Sequence, residues 1–170
     1  AVQGIAREKN KVVMFSGPAT TALTNKECSP VGFHWMFDTY SQSAGGAKAT
    51  VRAGGKSWFF ITVDYAFGHS LEEETTKVVK ELNGQIMGSV RHPLGTSDFS
   101  SFLLQAQGSG AQVVGLANAG TDTTTAIKQA AEFGVTRRGT RIAVLLMFVT
   151  DVHSLGLQAA QGLVLSETFY

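Results

Sequence analysis

Strand-length apolar runs recur along this chain and alternate with segments of helical period, and that alternation is the strongest constraint on its fold. The runs are Lys11–Phe15, Phe33–Phe37, Ser57–Val63, Gly84–Val90, Ala111–Ala117, Arg141–Met147 and Gly162–Glu167. From the third onward their starts are spaced by 27, 27, 30 and 21 residues. Such steps hold a strand, a turn, a helix and a return, which is the βαβ unit. Nothing repeats at that step beyond the pattern itself, so the chain is not a solenoid. Ser57–Val63, Ala111–Ala117 and Arg141–Met147 are nearly all apolar, as parallel strands covered on both faces must be. Right-handed crossovers then close the units into one sheet. The expected fold class is α/β: a doubly wound, mainly parallel sheet over residues near 39 to 163. The part up to about Phe37 has two strands and little helix, and reads as part of a second domain.

The segments between the strands carry helix punctuation. Ser70 and Glu73 have capping-box spacing, and Glu72, Glu73 and Glu74 would sit at the positive end of that helix. Leu71, Val78, Val79 and Leu82 follow on one face, and Asn83-Gly84 ends it. The three glutamates read as a solvated face. Phe99, Phe102, Leu103 and Ala106 form the next stripe, stopped by Gly108. A third helix starts at Thr121-Asp122, buries Ala126, Ile127, Ala130 and Ala131, and stops at Gly134. Nineteen glycines against three prolines fit tight strand–helix turns.

Composition removes several classes of function. With 44% hydrophobic and 16% charged residues in 170, the chain can bury a core and is not disordered. Its longest apolar run, Ile142 to Val149, is far short of the roughly 18 residues that cross a bilayer, and reads as a fully buried strand. A net charge of +1, with Arg137-Arg138 the densest basic pair, gives no stripe for nucleic acid. Cys28 is the sole cysteine, so it makes no internal disulfide; it reads as a packed thiol. No signal peptide is visible, the chain opens on what looks like the tail of a helix, and both ends look cut from something longer.

Ligands of an open parallel sheet bind beyond the carboxyl ends of its strands. Four segments belong there: Ser16 to Thr21, Asp64-Tyr65-Ala66-Phe67-Gly68, Asn118 to Asp122, and Phe148 to Asp151. The first is rich in small residues and hydroxyls and leads into Ala22-Leu23-Thr24. It fits either an anion site or a capped turn with nothing bound; lacking a lysine, it suits a carboxylate better than a triphosphate. Tyr65 and Phe67 would wall an apolar pocket, with one of the two rings packing against its own domain.

Signals for enzymes and cofactors are weak. There is no phosphate loop and no dinucleotide glycine fingerprint, and Gly108-Ser109-Gly110 stands before a strand rather than after one. His34, His69, His92 and His153 share no metal-ligand spacing and read as surface or capping residues. No G-x-S-x-G elbow is present. No cofactor or metal is expected.

The same segments carry a resemblance. Lys11 to Thr20, Leu23-Thr24 with Cys28-Ser29-Pro30, Asp64 to Gly68, Gly95 to Ser100, Ile127 to Gly134 and Gly162-Leu163-Val164 together resemble the type I periplasmic solute-binding proteins of ABC transporters, of the leucine/isoleucine/valine-binding kind. The resemblance covers nearly all 170 residues. It implies two lobes joined by three crossovers, with ligand in the cleft between them. It implies further that the chain is a fragment: residues 1–38 the last part of the first lobe's initial segment, 39–163 the second lobe, and 164–170 the start of the return. Crossings are expected near Phe37–Tyr40 and Leu165–Tyr170.

Carried over by position, the turn Ser16 to Thr20 grips a ligand carboxylate through backbone N–H groups and a threonine hydroxyl. Phe67 stands where an aromatic closes over the ligand, and Ala119 near a tyrosine that amino-acid binders use. Phe148 takes the place of the acidic residue that pairs with a ligand ammonium, with Asp151 or Asp122 near enough to substitute. The candidate ligand-binding residues are therefore Ser16, Pro18, Ala19, Thr20, Tyr65, Phe67, Asn118, Ala119 and Phe148. The implied protein is a non-enzymatic, monomeric, periplasmic or extracytoplasmic receptor. It would present an aromatic or aliphatic acid, or a branched-chain amino acid, to an ABC permease. Two rivals are a ligand-sensing domain of a regulator and an α/β enzyme with Asp64 or Asp151 as base.

Overall fold

The computed structural model describes residues 2–166, without the side chain of Arg138. Helix α1 (Val2–Glu8) precedes strand β1 (Val13–Phe15), a short 3-10 turn (Thr21–Leu23) and strand β2 (Gly32–His34). There follow α2 (Thr39–Arg52), β3 (Ser57–Val63), α3 (Ala66–Glu81), β4 (Gln85–His92), α4 (Ser100–Gly108), β5 (Val113–Ala117) and α5 (Gly120–Glu132). A second 3-10 turn (Val135–Arg138) leads to β6 (Arg141–Val144), α6 (Val149–Leu155), α7 (Leu157–Ala160) and β7 (Val164–Leu165). β1 and β2 pair in a small sheet of their own; the other strands form a five-stranded sheet in the order β4-β3-β5-β6-β7. Every pairing is parallel.

The order explains the layers. The chain steps from β3 outward to β4, then crosses back to β5 and continues to β6, so a switch point lies between β3 and β5. Trp58, Phe60 and Val113 face one side and bury Ala47 and Val51 of α2 with Leu71, Val78 and Val79 of α3. Phe59, Ile61 and Val114 face the other and meet Leu103 and Ala106 of α4 with Ala126, Ile127 and Ala130 of α5. This is the expected α/β, doubly wound sheet, with helices on both faces.

Several local readings need correction. α3 starts at Ala66, directly after an extended Tyr65, so Ser70 lies inside the helix and caps nothing. Glu73 is solvated, but Glu72 accepts a hydrogen bond from Thr62 and pairs with Arg91 at 3.5 Å. Glu74 accepts from Thr21, so it too leaves the solvated face. The run from Ile142 to Val149 is not one strand: β6 ends at Val144, Leu145 to Met147 stay buried, and α6 begins at Val149. Cys28 is exposed rather than packed. α2 carries no apolar period because its buried face includes Thr39, Gln42, Ser43 and Thr50; Asp38 and Ser41 close a capping box at its start. Glu167 and the end of the expected last crossing lie outside the described residues.

Candidate ligand-binding site

The switch point opens into a cavity of about 360 Å³ at the carboxyl ends of β3, β5 and β6. Tyr65, Ala66 and Phe67 reach it because β3 turns into α3 without a loop. That tight turn requires Gly68, where a Cβ would sit 2.2 Å from the Val63 carbonyl oxygen. Ala119, the cap of α5, and Leu146 and Phe148, at the end of the β6 run, complete that wall. The opposite wall is the turn after β1, Gly17 to Thr20, with Met36 and Phe37 from the connection between β2 and α2.

Seven of the nine expected residues gather here: Pro18, Ala19, Thr20, Tyr65, Phe67, Ala119 and Phe148. Ser16 and Asn118 do not line the cavity. Ser16 is exposed just past β1. Asn118 is fully buried; its amide donates to His92 Nε2 at 3.1 Å and accepts from Thr123 at 2.7 Å. His92 is correspondingly neither a surface nor a capping residue. Its Nδ1 lies 2.8 Å from the Pro93 carbonyl, which can only accept, so Nδ1 carries the proton and Nε2 receives Asn118. Phe99 and Phe102 pack edgewise on its ring. Met36, Phe37 and Leu146 escaped the sequence reading. Phe37 had a usable signal, being an aromatic at the end of an expected strand.

The rings form two pairs. Tyr65 and Phe67 have centroids 5.9 Å apart, and Phe37 and Phe148 lie at 6.0 Å across the mouth. Phe67 also leans on the core beneath it, as expected of one of the two rings, while Phe148 stays 40% exposed and does not turn into its own core. Burial pushes the Tyr65 phenol above its ordinary value of 10.0, and the negative charge of Asp122 adds to the rise.

The polar character of the cavity comes from backbone and from the hydroxyl-bearing side chains of Thr20 and Tyr65. α3, α5 and α6 all start at its rim, with Tyr65, Ala119 and Phe148 as caps, so their positive dipole ends converge there. On the opposite wall, among the hydrogen bonds of the described residues, none is donated by the N–H of Ala19 or Thr20. The Thr20 hydroxyl accepts from Ala22 N–H at 3.3 Å, which leaves its proton to donate. No charged side chain lines the cavity among the described residues. Asp151 spends an oxygen on Phe148 N–H at 3.0 Å, and Asp122, 3% exposed, accepts from Gly95 N–H at 3.2 Å.

A family model described as periplasmic binding protein matches residues 1–170. The chain belongs to that family. Among solved structures, a periplasmic binding protein from Burkholderia mallei is 53% identical with a TM-score of 0.96, over 99% of this chain and 45% of that one. A branched-chain amino acid ABC transporter periplasmic ligand-binding protein from Burkholderia xenovorans LB400 is 31% identical with a TM-score of 0.80, over 95% and 43%. The Leu/Ile/Val-binding protein homolog 6 of Brucella abortus is 28% identical over 114 residues, 67% of this chain and 29% of that protein. This periplasmic binding protein chain thus spans less than half the length of each of these relatives. Members of this family are binding proteins, and the B. xenovorans member is a ligand-binding protein of an ABC transporter. Their place is extracytoplasmic, and no helix among the described residues is long and apolar enough to cross a membrane.

Proposed function

We propose that the chain supplies the second lobe and part of the first lobe of an extracytoplasmic receptor that captures a small monocarboxylate and hands it unchanged to an ABC permease. The ligand has an apolar or aromatic body and needs no α-ammonium group. One observation carries this reading: among the described residues, the Gly17–Thr20 turn, whose Ala19 and Thr20 N–H groups have no hydrogen-bond partner and whose Thr20 hydroxyl keeps its proton to donate, lines one cavity with Phe37, Tyr65, Phe67 and Phe148 and without a carboxylate. Backbone donors and converging helix starts hold one negative charge without a lysine. An ammonium would instead be buried against the Phe148 ring. Cation–π attraction is worth roughly 0.5–2 kcal/mol, against on the order of 3–5 kcal/mol for a buried charge left unpaired.

The names of the Brucella and B. xenovorans relatives speak for a branched-chain amino acid, which needs an acid for its ammonium. Asp151 and Asp122 are the nearest candidates, and both are held by backbone N–H groups outside the lining. Catalysis by Asp64 finds no support either: it is exposed, 2.8 Å from His69, and not among the residues that line the cavity. Titration calorimetry on the full-length protein tests the reading. Benzoate or 4-methylpentanoate should bind at least about a hundredfold more tightly than leucine. Tight binding of leucine or valine, with no heat from the amine-free acids, would overturn it.

A further inference from the structure

The proposed carboxylate grip depends on a turn that has no regular structure of its own, so something else must hold its peptide groups in place. Thr39, the first residue of α2, is completely buried and bonds that turn twice. Its N–H donates to the Ala19 carbonyl at 2.8 Å, and its Oγ1 accepts from Thr21 N–H at 3.3 Å. These bonds fix both peptide planes that flank the Thr20 Cα. In a trans peptide the C=O and N–H point in opposite directions. With the Ala19 carbonyl turned toward Thr39, the Thr20 N–H in the same plane must point away from α2. Among the described residues it has no protein partner.

Thr39 is itself held. Its Oγ1 lies 2.7 Å from Ser70 Oγ on α3, and Ser70 Oγ lies 3.4 Å from Thr21 Oγ1. Thr21 Oγ1 in turn donates to Glu74 Oε1 at 3.4 Å, so the run of hydroxyls ends on a carboxylate that can only accept. None of Thr39, Ser70 and Glu74 lines the aromatic cavity. We infer that Thr39, braced by Ser70, is a positioning residue that aims the Thr20 N–H at the ligand carboxylate. The inference rests on the carboxylate reading above. It goes further by naming the hydroxyls of Thr39 on α2 and Ser70 on α3 as determinants of affinity for the charged end of the ligand alone.

The test uses the full-length protein, with benzoate and its neutral counterpart benzamide as probes in titration calorimetry. Thr39→Val keeps the shape and the N–H but removes the hydroxyl. It should weaken benzoate about tenfold and change benzamide little, because a hydrogen bond to a charged group is worth more than one to a neutral group. Thr39→Ser should restore benzoate to within about twofold. Ser70→Ala, a milder change on a half-buried residue, should weaken benzoate about threefold in the same selective manner and covers the case in which Thr39→Val does not fold. Equal losses for both probes would make Thr39 merely structural, and unchanged benzoate affinity in Thr39→Val or Ser70→Ala would overturn the inference alone. If the unaltered protein binds neither benzoate nor 4-methylpentanoate, the carboxylate reading itself falls and takes this inference with it.

Discussion

The two sheets of this chain use the same kinds of side chain to opposite effect. In β3 the run Trp58, Phe59, Phe60, Ile61 is buried to the last residue, because helices cover both faces of the sheet. In the small sheet, Met14 and Phe33 sit opposite one another in register and both are exposed, as are Val12 and Trp35 beside them. Apolar residues in a strand become core only where a second layer covers them. The difference bears on the proposed binding, since the cavity lies at the seam between the two regions. One wall rises from the packed sheet; the other is the Gly17–Thr20 turn, bonded from outside by Thr39 of α2 at the Ala19 carbonyl and by His34 of β2 at the Pro18 carbonyl.

The largest effect should separate the two regions most sharply. Phe60→Ala should destabilise the fold by about 3–5 kcal/mol, while Phe33→Ala should stay within about 0.5 kcal/mol. Urea midpoints of the two variants measure this, and similar shifts would abolish the distinction. A smaller contrast concerns glycines on the two walls of the seam. Gly68→Ala forces α3 away from the Val63 carbonyl and should cost about 1–3 kcal/mol. Its displaced Tyr65 and Phe67 should also lower ligand affinity in calorimetry. Gly17→Ala meets nothing within 4 Å and should leave the thermal midpoint unchanged. The smallest effect is at Tyr65. Its raised value means the neutral phenol is favoured in the fold. The stability it adds is therefore whole below the ordinary value of 10.0 and is lost as pH rises through the higher folded value. The difference in phenolate absorbance between the parent chain and Tyr65→Phe should show Tyr65 ionising later than a free tyrosine.

Much of this was legible in the residues. β3 runs over the same residues in sequence and structure, and α5 starts one residue ahead of the expected Thr121 and closes before Gly134, whose φ of 64° suits glycine. Strand-end logic and the family resemblance together pointed to Pro18 to Thr20, Tyr65, Phe67, Ala119 and Phe148, which all line one cavity. Strand-end logic failed for Asn118, a strand-end residue like the others, because the side chain turns back toward His92. It also passed over Thr39, since a helix that buries hydroxyls and amides shows no apolar period.

What the sequence determined by itself is whatever depends on near neighbours: strands from apolar runs, helices from their period, turns from glycine, and hence a parallel α/β sheet open at its carboxyl ends. Only the tertiary structure decided that Asp151 caps α6 instead of lining the cavity, and that Thr39 and Ser70 reach the turn from two other helices. The physical reason is range. Period and capping act over a few residues, whereas the groups around the Thr20 turn are brought together by packing across separations of 18 to 53 residues.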